Sequence, residues 1–296
     1  MTAPQLGRLG VWAHLDSLPA DEARAHARRI AELGYGALWV PETVGREPFA
    51  LLALLAADRP DLVLGTSIAS IWARDAQTTR MAAMTLAEAT GDRFVLGLGV
   101  SHPHLAEKLR GHHFDRPLTR MREYLAAYRS AVYRGPSTEA APEPPILVAA
   151  LRERMTDLAA TDADGAFPYL VTPERVAWMR GRLDAAGGGA RPTLAVTLPV
   201  VIGAPTDRDA ARAYLAPYLR TPTYRISWEL QGFEPGDWEA PASDQLVDRM
   251  VAIGDVEVVR ARIAELFDAG ADHVAIIALA PDGSSEWLPT LEALAR

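Results

Sequence analysis

Eight short apolar segments, rich in β-branched and aromatic residues, recur along this 296-residue chain, and a stretch of helical period follows most of them. That alternation calls for a parallel sheet, because each strand must be re-entered from the same end after a helical crossover. The segments are Leu9–His14, Ala37–Val40, Leu62–Ser67, Phe94–Gly99, Pro145–Ala150, Gly165–Leu170, Thr193–Ile202 and His273–Leu279. Together they predict one α/β domain spanning residues 1–296, a closed (β/α)8 TIM barrel, a fold that typically needs about 250 residues.

Punctuation between the segments agrees with that reading. Gly34 stops the first helix, Gly91-Asp92 turns the helix Asp75–Thr90 into the fourth strand, and Thr172-Pro173-Glu174 is a helix-start signal. Further helices are expected over Phe49–Ala57, Leu118–Val132, Arg154–Ala160, from Asp207, and over Val256–Ala269, with a surface loop over Pro136–Pro145. Residues 214–246 break the rhythm: Tyr218, Tyr224, Trp228, Phe233 and Trp238 concentrate in a Pro- and Gly-containing stretch. An aromatic-rich helical insertion or lid near the barrel mouth is the expectation.

Composition removes several classes of chemistry. The formal charge of -8 argues against nucleic acid or an anionic membrane as partner, and no apolar run reaches the roughly 18 residues that would span a bilayer. The N-terminal residues 1–10 lack an apolar signal core, so a cytoplasmic location is the expectation. With no cysteine, disulfides, thiolate metal sites and cysteine nucleophiles are excluded. The single lysine, Lys108, sits in a short helical stretch where a solvated charge is the plainer role, which disfavours Schiff-base chemistry.

In a parallel barrel the ligand-facing groups follow the C-terminal strand ends. Here those are His14, Glu42 with Thr43, Ser67 with Ile68, Ser101 with His102, Ala149 with Ala150, Tyr169 with Thr172, Pro199, and Leu279 with Ala280. Few are carboxylates, which argues against paired-acid hydrolysis and hard-metal binding. His102-Pro103-His104 and His112-His113 invite a metal reading, but strand-end aspartates are missing, so no metal is expected. His26 and His273 read as a surface and a packing histidine. Gly97 and Gly99 leave room for a flat ring against the chain, although Gly97-x-Gly99 lacks the third glycine of a dinucleotide fingerprint. Phosphate, if bound, would sit on a helix N-terminus, where Thr172 and Arg175 offer a hydroxyl and a guanidinium together.

Across nearly its whole length the chain resembles the luciferase-like monooxygenase superfamily, in particular its deazaflavin (coenzyme F420)-dependent oxidoreductase branch. The resemblance rests on residues 37–42, 64–68, 92–102, 146–150 and 271–274 in this order. It implies a barrel holding F420, or alternatively FMN, with hydride passing between the ring and a small organic substrate. It further implies a cis peptide at Ser67-Ile68 behind the ring, and a lining of Val100, Ser101, Ala149, Ala150, Tyr169 and Thr172 around the ring and its phosphate-bearing tail. Relatives are often dimers, so a homodimer is expected. Within that frame His102, with His14 or Glu42 as second candidates, would exchange the proton that accompanies hydride transfer, and Tyr224, Arg225 and Trp228 would cover the substrate. Two departures stand out. Glu42-Thr43 replaces the Asp-His frequent after strand two, and Leu151-Arg152-Glu153 replaces a glycine-containing loop after strand five. An FMN-dependent monooxygenase and a degenerate, non-catalytic cofactor-binding barrel therefore stay open as alternatives.

Overall fold

The computed structural model describes residues 4–58, 60–136, 143–204, 208–284 and 286–295. Ten strands run in chain order as β1 (Leu9–Trp12), β2 (Ala37–Val40), β3 (Val63–Thr66), β4 (Ala69–Ser70), β5 (Phe94–Gly99), β6 (Ile146–Val148), β7 (Gly165–Ala166), β8 (Thr193–Ile202), β9 (Ala252–Gly254) and β10 (His273–Leu279). Every pairing is parallel, and β10 bonds to both β1 and β8, which closes an eight-stranded barrel of β1, β2, β3, β5, β6, β7, β8 and β10. The chain is a TIM barrel.

Between the strands run α1 (Ala20–Glu32), α2 (Pro48–Ala56), α3 (Ala76–Thr90), α4 (Pro117–Ser130), α5 (Glu153–Thr161) and α6 (Pro173–Ala186). After β8 come α7 (Asp209–Leu215), α8 (Pro222–Glu229), a 3-10 turn at Pro235–Trp238, and α9 (Asp244–Met250); α10 (Val256–Asp268) and α11 (Leu288–Ala295) complete the ring. Capping fixes where helices begin. Asp75 accepts from the Thr78 amide at 2.7 Å ahead of α3, and Asp255 from the Val258 amide at 3.0 Å ahead of α10. Gly91, at φ 63°, closes α3 in the left-handed conformation that a side chain resists.

All eight barrel segments expected from the sequence are strands; Ala37–Val40, Phe94–Gly99, Thr193–Ile202 and His273–Leu279 keep their expected bounds, and the other four are shorter. β1 stops at Trp12 rather than His14, and β7 is only two residues long because Pro168 has no amide to donate and Leu170 turns to φ 55°. Two strands were not anticipated. β4 resumes the line of β3 after Ser67-Ile68 and pairs with β5, and β9 lies beside the last three residues of β8. The expected start of the helix at Asp207 and most of the loop 136–145 fall outside the described residues.

One apolar core lies between barrel and helices, and a second joins α7, α8 and α9 to the barrel around Trp228, Phe233 and Trp238. The barrel interior is a packed layer of its own. Trp39 and Phe167 meet edge-on at 4.7 Å over Val63, Val95, Leu147, Ala195 and Ala275. Two glycines make this layer possible: a Cβ on Gly65 would stand 2.4 Å from the Trp39 ring, and one on Gly10 would stand 2.6 Å from His273 Nε2. His273 is fully buried here, accepting from Trp39 Nε1 at 3.0 Å and donating from Nδ1 to the Gly7 carbonyl at 2.9 Å. The indole can only donate, so the proton of His273 resides on Nδ1.

Candidate active site

At the C-terminal mouth of the barrel, above the Trp39 layer, the strand ends enclose a cavity of about 440 Å³. Its floor is the Ser67-Ile68 bulge, whose peptide is cis. Trp12 Nε1 holds the Ser67 carbonyl at 3.0 Å, while the Ser67 amide donates to Val40 at 2.8 Å. One wall comes from Val100, Ser101 and His102 after β5, where Ser101 turns at φ 54°. The facing wall comes from Ala149 to Arg152 and Met155, and a roof of Tyr169, Tyr218, Thr223 and Tyr224 joins them.

The structure accounts differently for the paired glycines of β5. A Cβ on Gly97 would stand 1.9 Å from the Thr66 carbonyl, and one on Gly99 would stand 2.6 Å from Ile68 Cδ1. Neither glycine lines the cavity; both let the bulge approach β5. Thr66 completes the junction, its hydroxyl donating to the Gly97 carbonyl at 2.7 Å and accepting from the Gly97 amide at 2.9 Å.

The three residues expected to exchange the proton all reach the cavity, and their environments separate them. Glu42 is nearly buried with both oxygens engaged: Arg74 grips it through two nitrogens at 2.9 and 3.0 Å, Arg110 donates at 2.8 Å and the Ser70 amide at 2.7 Å. Both oxygens are thus committed to holding three stretches of the rim together, an anchoring role. His102 packs its ring on Tyr224 at 5.4 Å, and burial together with the neighbouring His104 lowers its pKa to about 4. It is therefore neutral at physiological pH, against the expectation of an imidazole titrating near neutrality, and its buried Nδ1 has no partner among the described residues. His14 is half-exposed, with Nε2 at 3.3 Å from the Thr43 hydroxyl and 3.5 Å from Asp16. Thr43 in turn donates to Asp16.

Ser67, Ile68, Val100, Ser101, Ala149, Ala150, Tyr169 and Tyr224 also line the cavity. Four expected residues stand elsewhere. Thr172 caps α6, its hydroxyl accepting from the Arg175 amide at 3.3 Å, and Arg175 stacks on Trp178 at 3.7 Å while donating to the Leu151 carbonyl at 2.6 Å. Both line a separate surface hollow, where Thr172 serves as the N-cap of α6. Trp228 is wholly buried in the core of the insertion, and Arg225 turns back to the Leu219 carbonyl at 2.6 Å. Trp12, Phe167, Thr197 and Tyr218 are cavity residues that sequence reasoning passed over.

Charge in the lining is sparse. Among the described residues, only Glu42 and Arg152 carry formal charge, and Glu42 is compensated. The roof is a cluster of phenols: Tyr169 bonds Tyr218 at 2.9 Å and also Tyr214, and burial raises the pKa of Tyr169, Tyr214 and Tyr224 above the ordinary tyrosine value. Tyr214 belongs to a second cavity of about 360 Å³ that shares Trp12 and His14 with the first. No three His, Asp or Glu side chains among the described residues converge as a metal site. No described helix is long and apolar enough to cross a membrane.

This cavity, at the strand ends of a barrel with a bulged third strand, coincides with the result of sequence comparison. The pattern of the luciferase-like monooxygenase family matches residues 5–273. The chain belongs to that family. A Mycobacterium tuberculosis protein provisionally named a coenzyme F420-dependent oxidoreductase is 28% identical, over 97% of each chain. Among solved structures, the coenzyme F420-dependent tetrahydromethanopterin reductase of Methanopyrus kandleri superposes with a TM-score of 0.77 at 16% identity, covering 98% of this chain and 97% of that one. The oxygenating constituent of 3,6-diketocamphane monooxygenase from Pseudomonas putida, a structure in complex with FMN, gives 0.73 at 16% identity, over 98% and 96%. At such identities the structural likeness establishes the fold.

Proposed function

We propose that the chain is an oxidoreductase that uses coenzyme F420 to exchange a hydride with a small, largely apolar organic substrate. The observation that carries this reading is the cavity itself: a bulge floor, flat apolar walls and a nearly uncharged interior suit a planar ring more than a phosphorylated sugar or a metal-bound substrate. The name of the mycobacterial relative supports F420 as the ring. When bound, the deazaflavin supplies the two-electron hydride chemistry.

What the chain contributes is position, polarity and proton handling. Ser67, Ile68 and Val100 present backbone and small side chains to one side of the cavity, fixing a face rather than bonding covalently. His102, neutral and with its buried Nδ1 unpartnered among the described residues, is suited to hydrogen-bond a carbonyl or hydroxyl oxygen without carrying charge. His14, half-exposed beside Thr43 and Asp16, can pass a proton between that oxygen and solvent. Phe167, Pro168 and Tyr224 exclude water from the interior.

A second reading, an FMN-dependent monooxygenase, is favoured by the fold shared with the diketocamphane enzyme in its FMN complex. Titration of the purified protein with F420 and separately with FMN, followed by quenching of its seven tryptophans, decides between them. Selective F420 binding is the expected result. Selective FMN binding would install the second reading, and binding of neither would leave a non-catalytic barrel.

A further inference from the structure

Among the described residues, Arg152 is the one charged lining residue without an ion-pair partner. It follows β6 at the rim of the cavity, exposed, and its backbone carbonyl starts α5 by accepting from the Met155 and Thr156 amides at 3.1 and 3.0 Å. Its side chain caps nothing and pairs with no acid among the described residues. The acids nearest in sequence are already committed: Glu153 pairs with Arg182 at 2.8 Å, and Asp157 pairs with the same guanidinium at 2.5 Å. Tyr218 and Thr223 line the same cavity. An arginine with free donors at the edge of an otherwise neutral cavity is a complement to an anion, and a guanidinium fits phosphate or carboxylate through two parallel bonds.

We infer that Arg152 anchors the anionic tail, phosphate or carboxylate, of a ring-bearing cofactor whose ring lies deeper in the cavity. The inference rests on the reading of that cavity as a cofactor site, and it assigns the anion grip to a side chain rather than to the α6 N-terminus at Thr172 and Arg175. Because the grip is an exposed charge, it is screened by salt while contacts to the ring are not.

The test crosses ligand charge with residue charge. Affinities of the wild type, Arg152→Ala, Arg152→Lys and Arg152→Glu are measured for F420 and for its deazaflavin chromophore lacking the phosphate tail, with FMN and riboflavin as a second pair. Thermal melts confirm that each variant is folded, as the side chain has no structural partner to lose. Expected for Arg152→Ala is a loss of roughly tenfold to a hundredfold toward the tailed ligand and less than twofold toward the bare ring. Arg152→Glu should lose more, Arg152→Lys less, and the wild-type advantage for the tailed ligand should shrink in 0.5 M salt, roughly three times physiological strength. Equal effects on tailed and bare ligands, or no effect on either, would overturn the role of Arg152 while leaving the cofactor reading intact. Failure of the wild type to bind any of the four would remove both.

Discussion

Two histidines with similarly lowered pKa values, His273 fully buried and His102 half-buried, divide this barrel into a floor and a mouth. His273 in the floor has both ring nitrogens bonded, to Trp39 and to the Gly7 carbonyl, whereas His102 at the mouth leaves its buried Nδ1 without a partner among the described residues. Burial holds each near pKa 4. A satisfied buried imidazole serves the fold; an unsatisfied one is a cost that a ligand's hydrogen bond can offset. The same contrast runs through the glycines, since Gly10 yields space to His273 and Gly99 yields space to the cavity wall at Ile68.

The comparison breaks hardest at Gly10. An added methyl there would stand 2.6 Å from His273 Nε2 and 2.9 Å from the Ala37 carbonyl, with backbone on one side that cannot yield. Gly10→Ala should therefore destabilise the fold by about 3 kcal/mol or more, read as a fall in the urea midpoint. An unchanged midpoint would show that the floor is looser than its geometry.

Acid comes next in size. The unfolded chain protonates His273 as pH falls below about 6.5, but the folded protein resists until about 4, so the unfolded state binds more protons across that window. Stability should fall by up to about 3 kcal/mol between those limits and be fully present above them. Urea titrations at several pH values would show it, and His273→Asn should remove its share of the fall while leaving that of His102, whose pKa is lowered alike. A variant with the wild-type slope would place the acid sensitivity elsewhere.

Smaller effects on stability are expected at the mouth. Gly99→Ala meets the flexible end of Ile68, so it should cost about 1 kcal/mol yet weaken cofactor binding by displacing the floor of the cavity. His102→Ala should change the melting free energy by less than about 1 kcal/mol, because it deletes no protein hydrogen bond, while turnover with F420 drops sharply. Full turnover in that variant would assign the polarising role to His14 alone.

The barrel was legible because its strands carry the pattern: Ala37–Val40 and Phe94–Gly99 are buried on both faces and read as continuous apolar runs. The candidate cavity was legible at most strand ends, where His14, Ser67, Ser101, Ala149 and Tyr169 fall on it, but not at Thr172, which caps α6 instead. Helical spacing misled at α8. Tyr224 and Trp228 are four residues apart and share a stripe, but only Tyr224 reaches the cavity while Trp228 lies one turn deeper, in the core. Thr197 was hidden in mid-strand because β8 is long enough to climb past the barrel layer. Arg152 was visible as a departure from the family pattern, yet its meaning depended on Arg182 having taken the neighbouring acids, which no linear reading displays.

The Glu42 clamp has a consequence for motion. Its three donors come from separate stretches of chain, Ser70 in β4, Arg74 ahead of α3, and Arg110 at the end of the segment that follows His102. Any swing of the His102 segment away from the mouth must therefore part Arg110 from Glu42, which stays held by Arg74. The Arg110–Glu42 pair is therefore the one such a swing has to break, and the rate at which ligands enter and leave the cavity is expected to rise with ionic strength even where their equilibrium affinity does not.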